Sequence, residues 1–101
     1  MLDLSKLNGF EWNNANVDKN WNKHSVYWRE CEEVFINLPL LISLDKTHSQ
    51  TEIRFHVLGK TNDNRKLFLV FTIRDNKIRI ISARNQNRKE KEIYDKAKKT
   101  I

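Results

Sequence analysis

A chain of 101 residues with 39% hydrophobic and 32% charged positions has apolar mass for one modest core, which excludes wholesale disorder. Its formal charge of +6 is unevenly placed: residues 1–50 carry five Lys or Arg against seven Asp or Glu, for −2, and residues 51–101 carry fourteen against six, for +8. One cysteine, Cys31, excludes an internal disulfide, and no apolar run nears the roughly 20 residues of a membrane helix.

A single domain over residues 1–101 is expected. The opening residues lack a charged-then-apolar signal segment, which predicts a reducing, cytoplasmic setting with no membrane association. An acidic first half joined to a basic second half suits a phosphate-bearing or acidic partner for the second half, RNA above all. The plainer reading is solvated charge kept for solubility. Cys31 falls among Glu30, Glu32 and Glu33, whose charge raises a thiol pKa, so it reads as a small core residue and not a nucleophile.

Residues 1–9 show no periodicity. Asn13 and Asn14 are good helix caps, and residues 15–24 place Val17, Trp21 and His24 at helical spacing, predicting a short amphipathic helix. Ser25 and Val26 break it. A second helix is expected over residues 27–37, with Trp28, Cys31, Val34 and Phe35 as its apolar stripe, and Pro39 ends it. Residues 40–44 read as a buried strand and 45–50 as a polar turn or loop. Over residues 52–60 the pattern alternates, with Ile53, Phe55 and Val57 on one face and Arg54, His56 and Leu58 on the other.

A turn cluster at 61–65 leads into a strand over 66–74. There Leu67, Leu69, Phe71 and Ile73 oppose Lys66, Phe68, Val70, Thr72 and Arg74. Asp75-Asn76 fits a two-residue hairpin turn in which Asn76 supplies the positive φ. The strand that follows carries Ile78 and Ile80 on one face, Lys77 and Arg79 on the other. Asn87 to Glu90 has the form of a capping box, starting a third helix that reaches about residue 98. This order predicts an α+β fold: two N-terminal helices, a four-stranded antiparallel sheet with helices over one face, and a C-terminal helix.

If the last three strands are consecutive neighbours, the face opposite the apolar one collects Arg54, His56, Arg74, Lys77 and Arg79. Guanidinium groups grip phosphate bidentately and stay charged, so such a face suits an RNA backbone and the charge of a phosphorane-like transition state. Phe68 on the same face suits base stacking. The plain alternative pairs these arginines with helix carboxylates or with solvent. Alternation puts Ser82 and Arg84 on the face away from Arg79, unless a bulge lies near Ile81 or Arg84 works from the strand's end.

At the end of the first predicted helix, Lys23-His24 joins a proton-exchanging group to a cation, although a lone histidine is more often capping or packed than catalytic. His48 and His56 complete the set of three, and no His/Cys/Asp spacing matches a zinc site, so no cofactor or metal mechanism is expected. With Gly9 and Gly59 the only glycines, there is no phosphate loop and no Gly-x-Ser-x-Gly elbow, which disfavours nucleotide hydrolysis and serine hydrolase chemistry. Trp12, Trp21 and Trp28 read as core, with Trp12 the one to allow near a ligand.

Phe10-Glu11-Trp12, Lys23-His24, Val34-Phe35, His48-Ser49, Glu52-Ile53-Arg54-Phe55, Gly59, Thr72-Ile73-Arg74, the Arg-Ile-Ile-Ser-Ala-Arg run at 79–84, and Arg88, Glu90 and Tyr94 stand in a characteristic order and spacing. In both respects the chain resembles the BrnT toxins of bacterial toxin–antitoxin pairs, from about residue 10 to residue 94, and the run at 79–84 is the most specific part. The resemblance implies a RelE-like fold, a ribonuclease toxin that arrests translation, and a BrnA-like antitoxin of ribbon-helix-helix type. Promoter DNA would be met only through the antitoxin complex. Lys23, His24, Arg54, Arg79 and Arg84 are the matching polar motif residues. The chain departs from the family pattern at Ser25, where Lys-His is usually followed by Gly, at Asn13, where Asp is usual, and at Asn16, where a lysine is common.

The expected activity is metal-independent RNA cleavage. A ribose 2′-hydroxyl attacks the adjacent phosphate, His24 or Lys23 moves a proton, and Arg54 and Arg79 stabilise the charge. His56, Phe68, Arg74, Lys77, Arg84 and Trp12 are the expected RNA contacts. The alternative, from a different class, is a non-catalytic basic nucleic-acid-binding or interaction module using the same face.

Overall fold

The computed structural model describes residues 2–48 and 51–99, so Ser49 of the His48-Ser49 motif lies outside the described residues. A 3₁₀ turn at Leu4–Lys6 precedes α1 (Asn14–His24) and α2 (Trp28–Val34). Then come β1 (Leu41–Leu44), β2 (Arg54–Lys60), β3 (Lys66–Arg74), β4 (Lys77–Asn85) and α3 (Arg88–Lys98). The strands form one antiparallel sheet in the order β1-β2-β3-β4. This is the α+β arrangement the sequence pattern predicts. No helix among the described residues is long and apolar enough to cross a membrane.

Alternation along the strands sends one set of side chains into the core. Val57, Leu67, Leu69, Phe71, Ile78, Ile80 and Ala83 are buried there with Val26 and with Cys31 and Val34 of α2. Burial, with Glu30 adding to it, pushes the Cys31 thiol up to about 12, which fits a packed residue and not a nucleophile. The helix α2 is shorter than its apolar stripe suggests, closing at Val34 with Phe35 as its C-cap. It sits so near the sheet that a Cβ on Gly59 would collide with Cγ1 of Val34.

The turn between β3 and β4 has left-handed backbone at both central residues, Asp75 (φ 54°) and Asn76 (φ 60°), where the sequence reading asked it only of Asn76. That pair matches the right-handed twist of the strands it joins, and both side chains are short polar ones that tolerate the region.

The packed face of α1 is not the stripe of Val17, Trp21 and His24. Its buried residues are Asn16 and Asn20, while Trp21 is 53% exposed, so this tryptophan is not core. The reason lies in β4, an edge strand whose outward backbone groups need partners. Gly9 and Glu11 supply them at Ile78, through Ile78 N–H to the Gly9 carbonyl (2.8 Å) and Glu11 N–H to the Ile78 carbonyl (2.8 Å). Further along, Asn16 Nδ2 donates to the Ile80 carbonyl (3.4 Å) and Asn20 Oδ1 accepts from Ala83 N–H (3.0 Å). An apolar stripe would have left that edge unbonded.

Between β3 and β4 the register slips once. Val70 pairs with Ser82 and Phe71 with Ile80, leaving Ile81 over as a bulge. One extra residue reverses the facing of everything after it, so Ser82 and Arg84 return to the side of Arg79. The expectation of helices over one face needs correction. Whereas α2 packs on the core face, α3 meets the opposite one: its Glu90 pairs with Arg84 and its Asp95 with Lys66. Tyr94, fully buried, anchors α3 by donating to the Pro39 carbonyl (2.7 Å).

Candidate active site

The face opposite the core is organised in rows across β2, β3 and β4. Arg54, Thr72 and Arg79 form one row, His56, Val70 and Ser82 the next, and Leu58, Phe68 and Arg84 the third. Two strand spacings put the Arg54 and Arg79 Cα atoms roughly 10 Å apart, astride Thr72, and on the same side. Both line a groove of about 290 Å³ with Glu52, Ile80, Ile81 and, from α1, Ala15, Asn16 and Lys19. Lys19 escaped the sequence reading because its helix was phased on Trp21. Phasing on Asn16 and Asn20 would have pointed to it.

Each arginine has a carboxylate. Arg79 Nη1 lies 2.8 Å from Glu11 Oε1, and Arg54 Nη2 lies 3.6 Å from Glu52 Oε1. Arg74 bridges the two glutamates at 4.0 Å and 3.3 Å. The result is an alternating chain of three guanidinium groups and two carboxylates, with Lys19 beside it. Its charge stays positive, and the glutamates aim the guanidinium groups without closing the groove between them. Lys77, the register partner of Arg74, stands exposed at the hairpin end.

Phe68 is half-buried and already engaged. The Arg84 guanidinium lies 4.1 Å from its ring centroid, and the His56 ring lies 5.2 Å away. Arg84 is in turn held bidentately by Glu90, at 2.8 Å and 2.9 Å. One ring face of Phe68 is therefore taken, and a base reaching this spot meets the guanidinium plane first.

Lys23, His24 and Trp12, three of the expected site residues, do not line the groove. Lys23 and His24 end α1 with both side chains exposed, near the β2–β3 hairpin, where the Arg65 guanidinium donates to the His24 carbonyl (3.4 Å) and the Ser25 carbonyl (3.0 Å). Both follow the groove residue Lys19 by about one helical turn, roughly 6–8 Å along α1, and neither lines the groove. There the pair suits the negative end of the helix dipole. Trp12 sits on the core side between Phe10 (6.2 Å) and Trp28 (6.1 Å), with its indole N–H donated to Glu32 (2.8 Å), so it does not meet the cationic face.

A group the sequence reading did not assemble lies beside the rows. Asp45, just past β1, is 5% exposed. Its carboxylate accepts from His56 Nε2 (3.0 Å), His48 Nδ1 (3.0 Å) and the His48 backbone N–H (3.2 Å). Burial pushes this carboxyl up, but the hydrogen bonds from His48 and His56 outweigh it and hold it below the usual aspartate value. Nothing in the spacing of residues 45, 48 and 56 announces the cluster, because it depends on how β1 pairs with β2.

A comparison with curated proteins returns no match. A family model described as "Ribonuclease toxin, BrnT, of type II toxin-antitoxin system" matches residues 12–90, a span that holds the arginine row, the groove and Lys19. The chain accordingly belongs to the BrnT family of ribonuclease toxins.

Proposed function

We propose that this protein is an endoribonuclease that cuts RNA in the cytoplasm without a metal ion and arrests translation by doing so. A small antitoxin of ribbon-helix-helix type neutralises it, and promoter DNA is met only through that complex. The observation that carries the reading is the row Arg54, Thr72, Arg79, which turns two guanidinium groups onto one open groove.

In this reading a ribose 2′-oxygen attacks the adjacent phosphorus and the P–O5′ bond breaks. One product ends in a 2′,3′-cyclic phosphate and the other begins with a 5′-hydroxyl. Arg54 and Arg79 hold the non-bridging oxygens, where their attraction grows as charge builds in the transition state. Lys19 adds a third positive charge at the groove. Arg74, Lys77 and Arg84 carry the flanking backbone, a sequence-independent contribution that weakens with salt. Lys23 and His24 contact RNA beyond the reacting phosphate.

The test is purified protein with RNA in EDTA, with and without the antitoxin. Expected are new 5′-hydroxyl ends, lost when the antitoxin is added. A second reading, binding without cutting, is favoured by the glutamate partners of Arg54 and Arg79. Salt-dependent binding with every RNA molecule left intact would establish it and reject the nuclease.

A further inference from the structure

The arginine row supplies charge but no proton-transfer group, and His24 does not line its groove. We propose that His56 is the proton-transfer group of this site and that Asp45 is its positioning residue. The assignment rests on the ribonuclease reading above and extends it.

His56 follows Arg54 on the same face of β2, roughly 7 Å further along the strand. Its side chain is 37% exposed, open enough to meet a ribose next to a phosphate held by the arginines. Its Nε2 is turned to Asp45 Oδ2 at 3.0 Å, and Nδ1 makes no hydrogen bond among the described residues. A buried carboxylate in that position fixes Nε2 as the donor and leaves Nδ1 as the acceptor. The same carboxylate steadies the imidazolium that forms when Nδ1 takes a proton.

The surrounding groups are consistent with this role. His48 shares the Asp45 carboxylate, and its backbone N–H donates to Oδ1 at 3.2 Å, pinning the aspartate from the loop side. Phe68 packs on the His56 ring from β3, Arg84 lies over Phe68 from β4, and Glu90 of α3 holds Arg84 and acts on His56 through its charge. Positive Arg54 and Arg84 therefore face negative Asp45 and Glu90 around one imidazole. In the reaction, Nδ1 removes the 2′-hydroxyl proton as O2′ bonds to phosphorus. The departing O5′ takes its proton from water, and His56 later returns its own proton to solvent.

The experiment is a single-turnover pH–rate profile on a defined RNA oligonucleotide in EDTA, for wild type, His56→Ala and Asp45→Asn, with thermal melting to confirm folding. Wild type is expected to show a rate that rises with pH and then levels. His56→Ala loses about 10²–10⁴-fold and the rising limb, and free imidazole restores part of the rate. Asp45→Asn moves the rising limb to lower pH, a displacement that mere loosening of the fold does not produce. A folded His56→Ala protein that cleaves at the wild-type rate, or keeps the limb, overturns the assignment and leaves the ribonuclease reading standing. Wild-type protein that cuts no RNA overturns both.

Discussion

Asn20 Oδ1 accepts the Ala83 amide at 3.0 Å in a site from which water is excluded, so a side-chain amide and not an apolar stripe docks the first helix on the sheet. Its Nδ2 donates to the Asn16 carbonyl (3.0 Å), which fills the other half of the amide. Replacing Asn20 by Leu keeps the bulk but strands the Ala83 N–H. That should cost about 1–3 kcal/mol, the penalty for a buried donor left unmade, seen as a lower urea midpoint with unchanged slope. An Asn20→Leu protein as stable as wild type would mean that α1 is held by something else.

Ser25 supplies the second prediction. It caps α1 with φ 54°, a left-handed conformation that costs a side-chain-bearing residue about 1–2 kcal/mol. Ser25→Gly should raise stability by about 1 kcal/mol, less the extra freedom glycine gains in the unfolded chain. Thermal unfolding decides it, and an unchanged or lower Tm would refute the strain argument.

Much of this architecture was legible because strands write their faces in period two. Ile78 and Ile80 against Lys77 and Arg79 mark the core and the cationic side in the sequence itself. Two features escaped for different physical reasons. The phase of α1 differs from the apolar pattern because that periodicity assumes a helix packed on side chains, whereas this one packs on an edge of backbone donors and acceptors, met from α1 by Asn16 and Asn20. The meeting of Asp45 with His56 depends on strand pairing, since the Asp45 N–H reaches the Arg54 carbonyl at 2.8 Å, a relation with no local signature. The bulge at Ile81 is intermediate. Alternation exposed the conflict at Arg84 without resolving it.

For the arginine row, the proposed chemistry sets a magnitude. Removing one preorganised donor to a charged transition state costs about 2.7–4 kcal/mol, or roughly 10²–10³ in rate. Arg54→Ala and Arg79→Ala are each expected to fall by that factor in single-turnover cleavage. The double variant should fall by less than the product, since both act on one phosphate. Arg79→Lys should recover little, because a point charge does not reproduce a planar fork. Cleavage persisting unchanged in the double variant would remove the row from the reaction.

Acid should loosen the molecule through Glu90, and the direction follows from its partners. Burial pushes this carboxyl up, but the two Arg84 hydrogen bonds and the Asn87 N–H at 2.8 Å outweigh it, so in the folded protein it lies below its ordinary 4.5. A carboxyl depressed on folding favours the native state when ionised. Its contribution is present above the ordinary value and disappears as pH falls from 4.5 through the folded value. Because Arg84 and Glu90 are partly solvated, screening limits the pair to about 1 kcal/mol or less. Glu90→Gln should thus be less stable than wild type at pH 7, and the difference between the two urea-unfolding curves should vanish as pH falls through the folded value. Asp45 and Asp95 are likewise held low by their partners and titrate in both proteins, so only the difference between the curves reports on Glu90. Curves that stay parallel down to acid pH would show that the Arg84 pairing contributes nothing to holding α3 on the sheet.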